Sequence, residues 1–281
     1  MTVTAAGLSP GWLALREPAD AAARSTELVQ ELQPRLPSDR PWRVHDLGCG
    51  TGSMGRWLAP RLPGPQHWVL HDREVDLLAH ASARTPAAAG DGSAVTVETR
   101  AGDLTRLGPL DLAGADLVTA SALLDMLTAD ELERLVTACG DAGCPVLLTL
   151  SVVGRVTLVP PDPADEPVAA AFNAHQRRTA GGRRLLGPDA ATAAAELFTR
   201  RGAKVLVRPS PWRLGAADRA LVTAWFAGWT AAACEQRPEL AAATRDYRRS
   251  RLAAASAGRL QVTVHHEDLL VLPAAGRKTN P

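Results

Sequence analysis

Residues 44–55 read VHDLGCGTGSMG. Asp46 closes a short apolar run, and Gly48, Gly50 and Gly52 follow at every second position, with Cys49 between them. Glycines so placed let backbone N–H groups approach a ligand at the start of the following helix. Taken alone, Gly50-x-Gly52-x-x-Gly55 reads as a dinucleotide loop. A dinucleotide sets its pyrophosphate over that loop, and an acid at position 46 would repel the charge. Asp46 instead suits a ligand that carries an ammonium group there and no phosphate.

Two further acids extend the pattern. Asp72 ends the second apolar run, about 20 residues past the loop, where an acid accepts hydrogen bonds from both hydroxyls of a ribose. That serves a nicotinamide dinucleotide and S-adenosylmethionine equally. Asp103, in Gly102-Asp103-Leu104, can accept from an adenine amino group while a backbone N–H reaches the ring. Acids at the ends of three successive strands face the carboxyl edge of a sheet, where open α/β folds bind ligands.

The elements that must hold these residues follow from periodicity. Apolar runs at 42–48, 67–72, 94–103, 115–124 and 144–152 predict strands, the last nearly all apolar as a doubly covered strand should be. Helical spacing between them predicts a doubly wound, mostly parallel α/β sheet with right-handed crossovers. The spacing also predicts a helix over 18–33, within an N-terminal helical segment 1–38. Residues 204–210 and 259–273 read as two more strands. The main domain then spans 39–273, with lid insertions at about 154–187 and 217–256. The tail 274–281 reads as flexible.

Composition narrows the function. Apolar residues make up 46% of the 281-residue chain, enough for a sizeable core. A net charge of +1 argues against nucleic acid as partner, because phosphate neutralisation needs a basic excess. The four cysteines form no CxxC pair and no His/Cys set has zinc spacing, so reduced thiols and no metal are expected. No apolar run approaches the roughly 18 residues of a membrane helix, and residues 1–20 do not read as a signal peptide. A cytoplasmic protein is expected. Abundant alanine, and arginine in place of lysine, fit a GC-rich bacterial genome such as an actinomycete's.

Asp46-Leu47-Gly48-Cys49-Gly50-Thr51-Gly52, Asp72 and Gly102-Asp103-Leu104 resemble the first three motifs of the class I S-adenosylmethionine-dependent methyltransferases. The resemblance covers 42–152 in motif order and spacing. It implies a Rossmann-like seven-stranded sheet with an antiparallel last strand and a helical cap. It also implies S-adenosylmethionine as cofactor and S-adenosylhomocysteine as product. Gly48, Cys49, Gly50 and Gly52 would line the methionyl part, and Asp46 would hold its ammonium group. Asp72, with Arg73 beside it, would take the ribose, and Asp103 and Leu104 the adenine. Ser121 would sit beside the sulfonium, and Arg24 on the N-terminal helix would pair with the cofactor carboxylate.

The acceptor is less constrained. Residues 119–123, TASAL, lack the Asn/Asp-Pro-Pro-Tyr/Phe segment of enzymes acting on exocyclic base amines, and Cys144-Pro145 reverses the Pro-Cys of pyrimidine C5 enzymes. A small molecule is favoured, methylated on oxygen or nitrogen rather than carbon. A ribosomal RNA methyltransferase and a catalytically silent cofactor-binding protein are the alternatives, and a homodimer is left open. The lid segments hold Phe172, Asn173, Gln176, Trp225, Trp229 and Tyr247 as candidate acceptor contacts. Trp225 and Trp229, four apart, share a helix face. His175 is the first candidate proton acceptor, its imidazole being suited to neutral pH. Asp125, just past the fourth strand, is the second. His265 and His266 must point to opposite faces of the last strand, so at most one can face a pocket.

Overall fold

The computed structural model describes residues 9–37 and 40–273. The tail expected at 274–281 lies outside the described residues. The chain opens with α1 (Pro10–Ala23) and α2 (Thr26–Leu32). The first half of the sheet follows as β1 (Trp42–Leu47), α3 (Ser53–Leu58), β2 (Gln66–Asp72), α4 (Val75–Arg84) and β3 (Val95–Ala101). Next come β4 (Leu117–Ser121), α5 (Ala129–Ala142) and β5 (Val146–Val159), then α6 (Asp165–Gln176) and the small hairpin β6 (Thr179–Ala180) and β7 (Arg183–Arg184). The chain closes with α7 (Ala190–Arg200), β8 (Lys204–Pro209), β9 (Trp212–Leu214), α8 (Arg219–Gln236), α9 (Leu240–Ala243), α10 (Arg245–Ser256) and β10 (Gln261–Leu272).

The main sheet runs β3-β2-β1-β4-β5-β10-β8, with β9 paired to the outer part of β10. Strands β1 to β5 pair in parallel, and β10 is antiparallel to both β5 and β8. This is the expected α/β sheet with its antiparallel last strand, plus the short β9. Strand order reverses between β1 and β4, which makes the crevice beyond their carboxyl ends the natural ligand site.

One face of the sheet packs Val44, Trp68 and Leu70 against Leu28, Leu32, Met54 and Leu78 of α2, α3 and α4. The other packs Leu47, Val118 and Leu148 against Leu132, Leu135 and Phe198 of α5 and α7. Helices α6, α8 and α10 have a third core of their own, with Phe172, Leu221, Phe226, Trp229 and Tyr247 packed on Leu158 and Val262. Each fully buried Leu or Phe contributes roughly 1.5–3 kcal/mol. The segment expected to be a lid is therefore a packed unit, not a loop laid over the sheet.

Three expectations are revised. The helix predicted over 18–33 is two helices. It starts at Pro10, where Ser9 Oγ accepts from the Trp12 N–H. It breaks at Arg24–Ser25, where the Ser25 N–H donates to Asp268 Oδ2 at 2.8 Å and Ser25 Oγ caps α2. Between β3 and β4 the strand–helix alternation lapses into two 3₁₀ turns, Leu104–Arg106 and Pro109–Leu112. Gly108, Pro109 and Gly114 interrupt that segment. Finally, β5 continues through 153–159, paired with β10 as far as Gln261. Those residues form a ribbon that carries the lid beyond the sheet edge.

Candidate active site

The loop after β1 is built by backbone handedness. Gly48, Gly50 and Gly52 all have φ between +55° and +83°, a region that strains any residue with a Cβ. At Gly52 a Cβ would also stand 3.1 Å from the Ala81 backbone, where α3 packs on α4. At Gly48 it would meet Leu123 at 3.1 Å and Leu104 at 3.5 Å. These two leucines thus fold over the first glycine from the ends of β4 and β3. Cys49 is buried, and burial raises its thiol pKa.

Asp72 fixes the loop from below. Its Oδ2 accepts from the Gly50 N–H at 2.9 Å, and its Oδ1 from the Glu74 N–H at 3.0 Å. Asp46 is buried, with Oδ1 accepting from Thr119 Oγ1 at 2.7 Å and Oδ2 left without a partner. Burial pushes its pKa up to about 7, against the pull of the Thr119 hydroxyl and the Arg24 guanidinium.

Arg24 arrives here from the break between α1 and α2. Its Nη2 donates to Ser53 Oγ and Ser121 Oγ, both at 3.0 Å, and Thr149 Oγ1 donates to Ser121 Oγ in turn. The guanidinium lies 5.6 Å over the Trp57 ring. The side chain is buried, yet Nε and Nη1 have no partner. Burial lowers its pKa, while Asp20, Asp268 and Asp46 act to hold its charge. A buried cation with two unused donors thus stands within electrostatic reach of a buried carboxylate with an unused oxygen. Each orphan costs on the order of 1–3 kcal/mol until a ligand meets it.

Asp103 is exposed, and its Oδ1 accepts from the Thr105 N–H and hydroxyl, which hold its pKa down. Arg73 is exposed and paired with Glu74 at 3.1 Å.

Beyond Ser121 a small cavity of about 70 Å³ opens between the sheet edge, α1 and the lid. Its aromatic wall is Trp12, Phe172, Trp212 and Trp225, and Asp125, Arg16 and His266 are its ionisable groups. Ala122 and Leu150 also line it, with φ of +51° and +56°. Such strain in non-glycine residues collects at functional sites. Leu150 is held in that shape by its N–H donating to Asp268 Oδ1 at 2.8 Å. Arg16 is closed in a bidentate pair with Asp20 at 2.9 and 3.1 Å, and Trp212 Nε1 donates to the same carboxylate. Burial drives the pKa of His266 down to about 3, so this imidazole is neutral. Asp125 is half-buried, and burial raises its pKa.

Of the sequence-derived acceptor candidates, Asp125, Phe172 and Trp225 line this cavity and the others do not. The buried stripe Val168, Ala171, Phe172 and His175 turns one face of α6 onto α8, and only Phe172 reaches the cavity. His175 Nε2 instead lies 3.3 Å from Glu235 Oε2. Asn173 Nδ2 donates to the Gly154 carbonyl at 2.7 Å, and Gln176 is buried under Gly187. Trp229 sits behind Trp225, stacked at 5.3 Å, inside the lid core. Tyr247 donates to Asp165 Oδ1 at 2.7 Å. Sequence reasoning missed Trp12, Arg16, Trp212 and Asp268. Only the His265/His266 alternation hinted at the β10 wall.

A larger open groove of about 680 Å³ runs between α5 and the β6–β7 hairpin. Two of its arginines are committed to acids, Arg177 to Asp189 and Arg183 to Glu131. Among the described residues no helix is long and apolar enough to cross a membrane, and no cluster of three His, Cys, Asp or Glu could hold a metal ion.

The methyltransferase-domain family matches residues 44–143. No curated protein matches the chain. Among solved structures, a cyclopropane synthase from Mycobacterium tuberculosis is similar at 12% identity, covering 94% of both chains, with a TM-score of 0.48. An S-adenosylmethionine-dependent methyltransferase from Geobacter sulfurreducens, in complex with S-adenosylhomocysteine, is similar at 16% identity, covering 94% of this chain and 98% of that one, with a TM-score of 0.43.

Proposed function

We propose, for a chain whose residues 44–143 match the methyltransferase-domain family, that it is an S-adenosylmethionine-dependent enzyme that methylates a small molecule seated in the aromatic cavity beyond Ser121. The observation that carries this is a pair of orphans within electrostatic reach of each other, Arg24 Nε and Nη1 and Asp46 Oδ2. An α-amino acid end group has a carboxylate for the first and an ammonium for the second. A dinucleotide has neither, and its pyrophosphate would meet the Asp46 charge. The residues fit S-adenosylmethionine, which when bound supplies an electrophilic sulfonium methyl.

The chain's own residues do the rest. Asp72, held from behind by two backbone N–H groups, would turn toward the ribose. Leu104 and Leu123 would cover the adenosine side of Gly48. The rings of Trp12, Phe172, Trp212 and Trp225 exclude water and orient the acceptor. Asp125 would take the acceptor's proton, its raised pKa moving it toward the working pH.

Calorimetric titration with S-adenosylmethionine, S-adenosylhomocysteine and NADH tests the cofactor. The first two are expected to bind at micromolar concentration. Asp72→Ala should lose at least about 100-fold, since two hydrogen bonds to a charged acceptor contribute about 1.5–3 kcal/mol each. Binding of NADH alone would overturn the reading.

Asp46 makes a second prediction. An ammonium at Oδ2 favours the ionised carboxylate, so binding below its pKa of about 7 must expel a proton. Affinity for S-adenosylhomocysteine should be full above pH 7 and fall by up to tenfold per pH unit below it. At pH 6, the binding enthalpy should differ between buffers of low and high ionisation enthalpy. In Asp46→Asn that buffer dependence should vanish. Equal enthalpies in the wild type would refute the assigned role.

A further inference from the structure

We infer that the acceptor is a protonated amine carried on an apolar or aromatic body, and that Asp125 together with the cavity's rings recognises its charge. The inference rests on the methyl-transfer reading above and names its acceptor.

The cavity wall has three ionisable groups. Arg16 is closed by its bidentate pair with Asp20, lying 5.0 Å over the Trp212 ring. His266 is buried, tilted against Trp212 at 5.4 Å, and neutral. Asp125 lines the cavity with no ion pair to any of the described residues, its carboxylate bonded only to its own backbone N–H. Arg16 and Arg178 act on it only through space, the first held by Asp20 and the second with its Nη1 donating to the His175 carbonyl at 3.0 Å. A half-buried carboxylate among four rings is costly unless a cation meets it. The indole rings of Trp12 and Trp225 on the cavity wall attract the same cation, that of Trp212 being taken by Arg16. An anionic acceptor would be repelled by Asp125, and an alcohol would leave the carboxylate with no cation in direct contact, only the distant charges of Arg16 and Arg178.

The chemistry balances. An ammonium acceptor gives one N–H proton to the Asp125 carboxylate. The freed nitrogen lone pair forms the N–C bond as the C–S bond breaks, and the C–S electron pair stays on sulfur. The product leaves as an N-methylammonium, and Asp125 returns its proton to solvent.

The test is a binding measurement that does not depend on turnover. Benzylamine and benzyl alcohol are titrated at pH 7.5 into protein saturated with S-adenosylhomocysteine. The amine is expected to bind at least tenfold tighter than the alcohol. In Asp125→Asn that preference should fall below twofold while S-adenosylhomocysteine still binds, which also certifies the variant's fold. Should that variant not fold, Trp225→Leu is used, and it should weaken the amine at least fivefold more than the alcohol. Equal binding of the two probes, a preference that survives in the variant, or no binding of the amine overturns the inference. Loss of S-adenosylhomocysteine binding in the wild type would instead overturn the cofactor reading, so the two failures are told apart.

Discussion

Arg24→Met should lower the affinity for S-adenosylhomocysteine at least 100-fold while leaving the free protein as stable as before, within about 1 kcal/mol. The two halves of this result have one cause. In the free protein the guanidinium is buried, and only Nη2 is satisfied, by Ser53 and Ser121. Burial lowers its pKa in spite of Asp20, Asp268 and Asp46, so desolvation outweighs their attraction and removing the charge loses little. With a carboxylate present, Nε and Nη1 would complete a charge-assisted, two-point contact. Such contacts contribute about 1.5–3 kcal/mol per hydrogen bond. Methionine keeps the apolar stem against Trp57 and removes only the fork. Arg24→Lys should recover less than a tenth of the wild-type affinity, because an ammonium cannot span both serines and a ligand. Calorimetry paired with urea unfolding separates the two effects. A variant that binds normally, or one that loses several kcal/mol of stability, would show that Arg24 is a structural bridge.

Much of this site could be read from short-range pattern. Asp46, the three glycines and Asp72 lie within one strand–loop–helix–strand unit, where spacing alone fixes which residues meet. Thr128 and Gly143 bound α5 as the capping rules require. Residues that arrive from a distance were harder to place. Trp12, Trp212 and His266 come from α1, β9 and β10, and meet only because β5 and β10 extend as a ribbon past the sheet. Asp268 joins the α1–α2 break to the strained Leu150 backbone across more than 100 residues. No local period encodes such a contact. His175 shows the converse. Its polar neighbours Asn173 and Gln176 suggested a site, yet its position on α6 turns it to α8 and Glu235. Arg24 is an intermediate case. Its proposed role came from resemblance, while its burial depends on a helix break that the apolar period of 18–33 conceals.

Acidification should destabilise the protein through three neutral histidines. His45 Nδ1 and His71 Nε2 share a hydrogen bond of 3.0 Å between β1 and β2, their rings stacked at 5.1 Å. Such a pair needs one nitrogen to donate and the other to accept, which two imidazolium ions cannot do. Burial lowers their pKa values to about 3 and about 4, and that of His266 to about 3. For a histidine whose folded pKa lies below its unfolded value of about 6.5, stability is full above pH 6.5 and is lost as pH falls toward the folded pKa. Between pH 7 and 5 each histidine should remove about 2 kcal/mol. Asp46 works in the opposite sense. Its raised pKa makes ionisation costly in the fold, and protonation below pH 7 returns about 2 kcal/mol. These four groups together then remove roughly 4 kcal/mol over that range, a large part of the 5–15 kcal/mol typical of a domain. Urea unfolding at half-unit steps from pH 7 to pH 5 measures it. The double variant His45→Gln, His71→Gln isolates the pair, because glutamine keeps a donor and an acceptor but does not titrate. Its pH dependence should be flatter than the wild type's by about 4 kcal/mol over the same range. Parallel curves for the two proteins would mean that the pair tolerates charge, and that the acid response comes from carboxylates elsewhere.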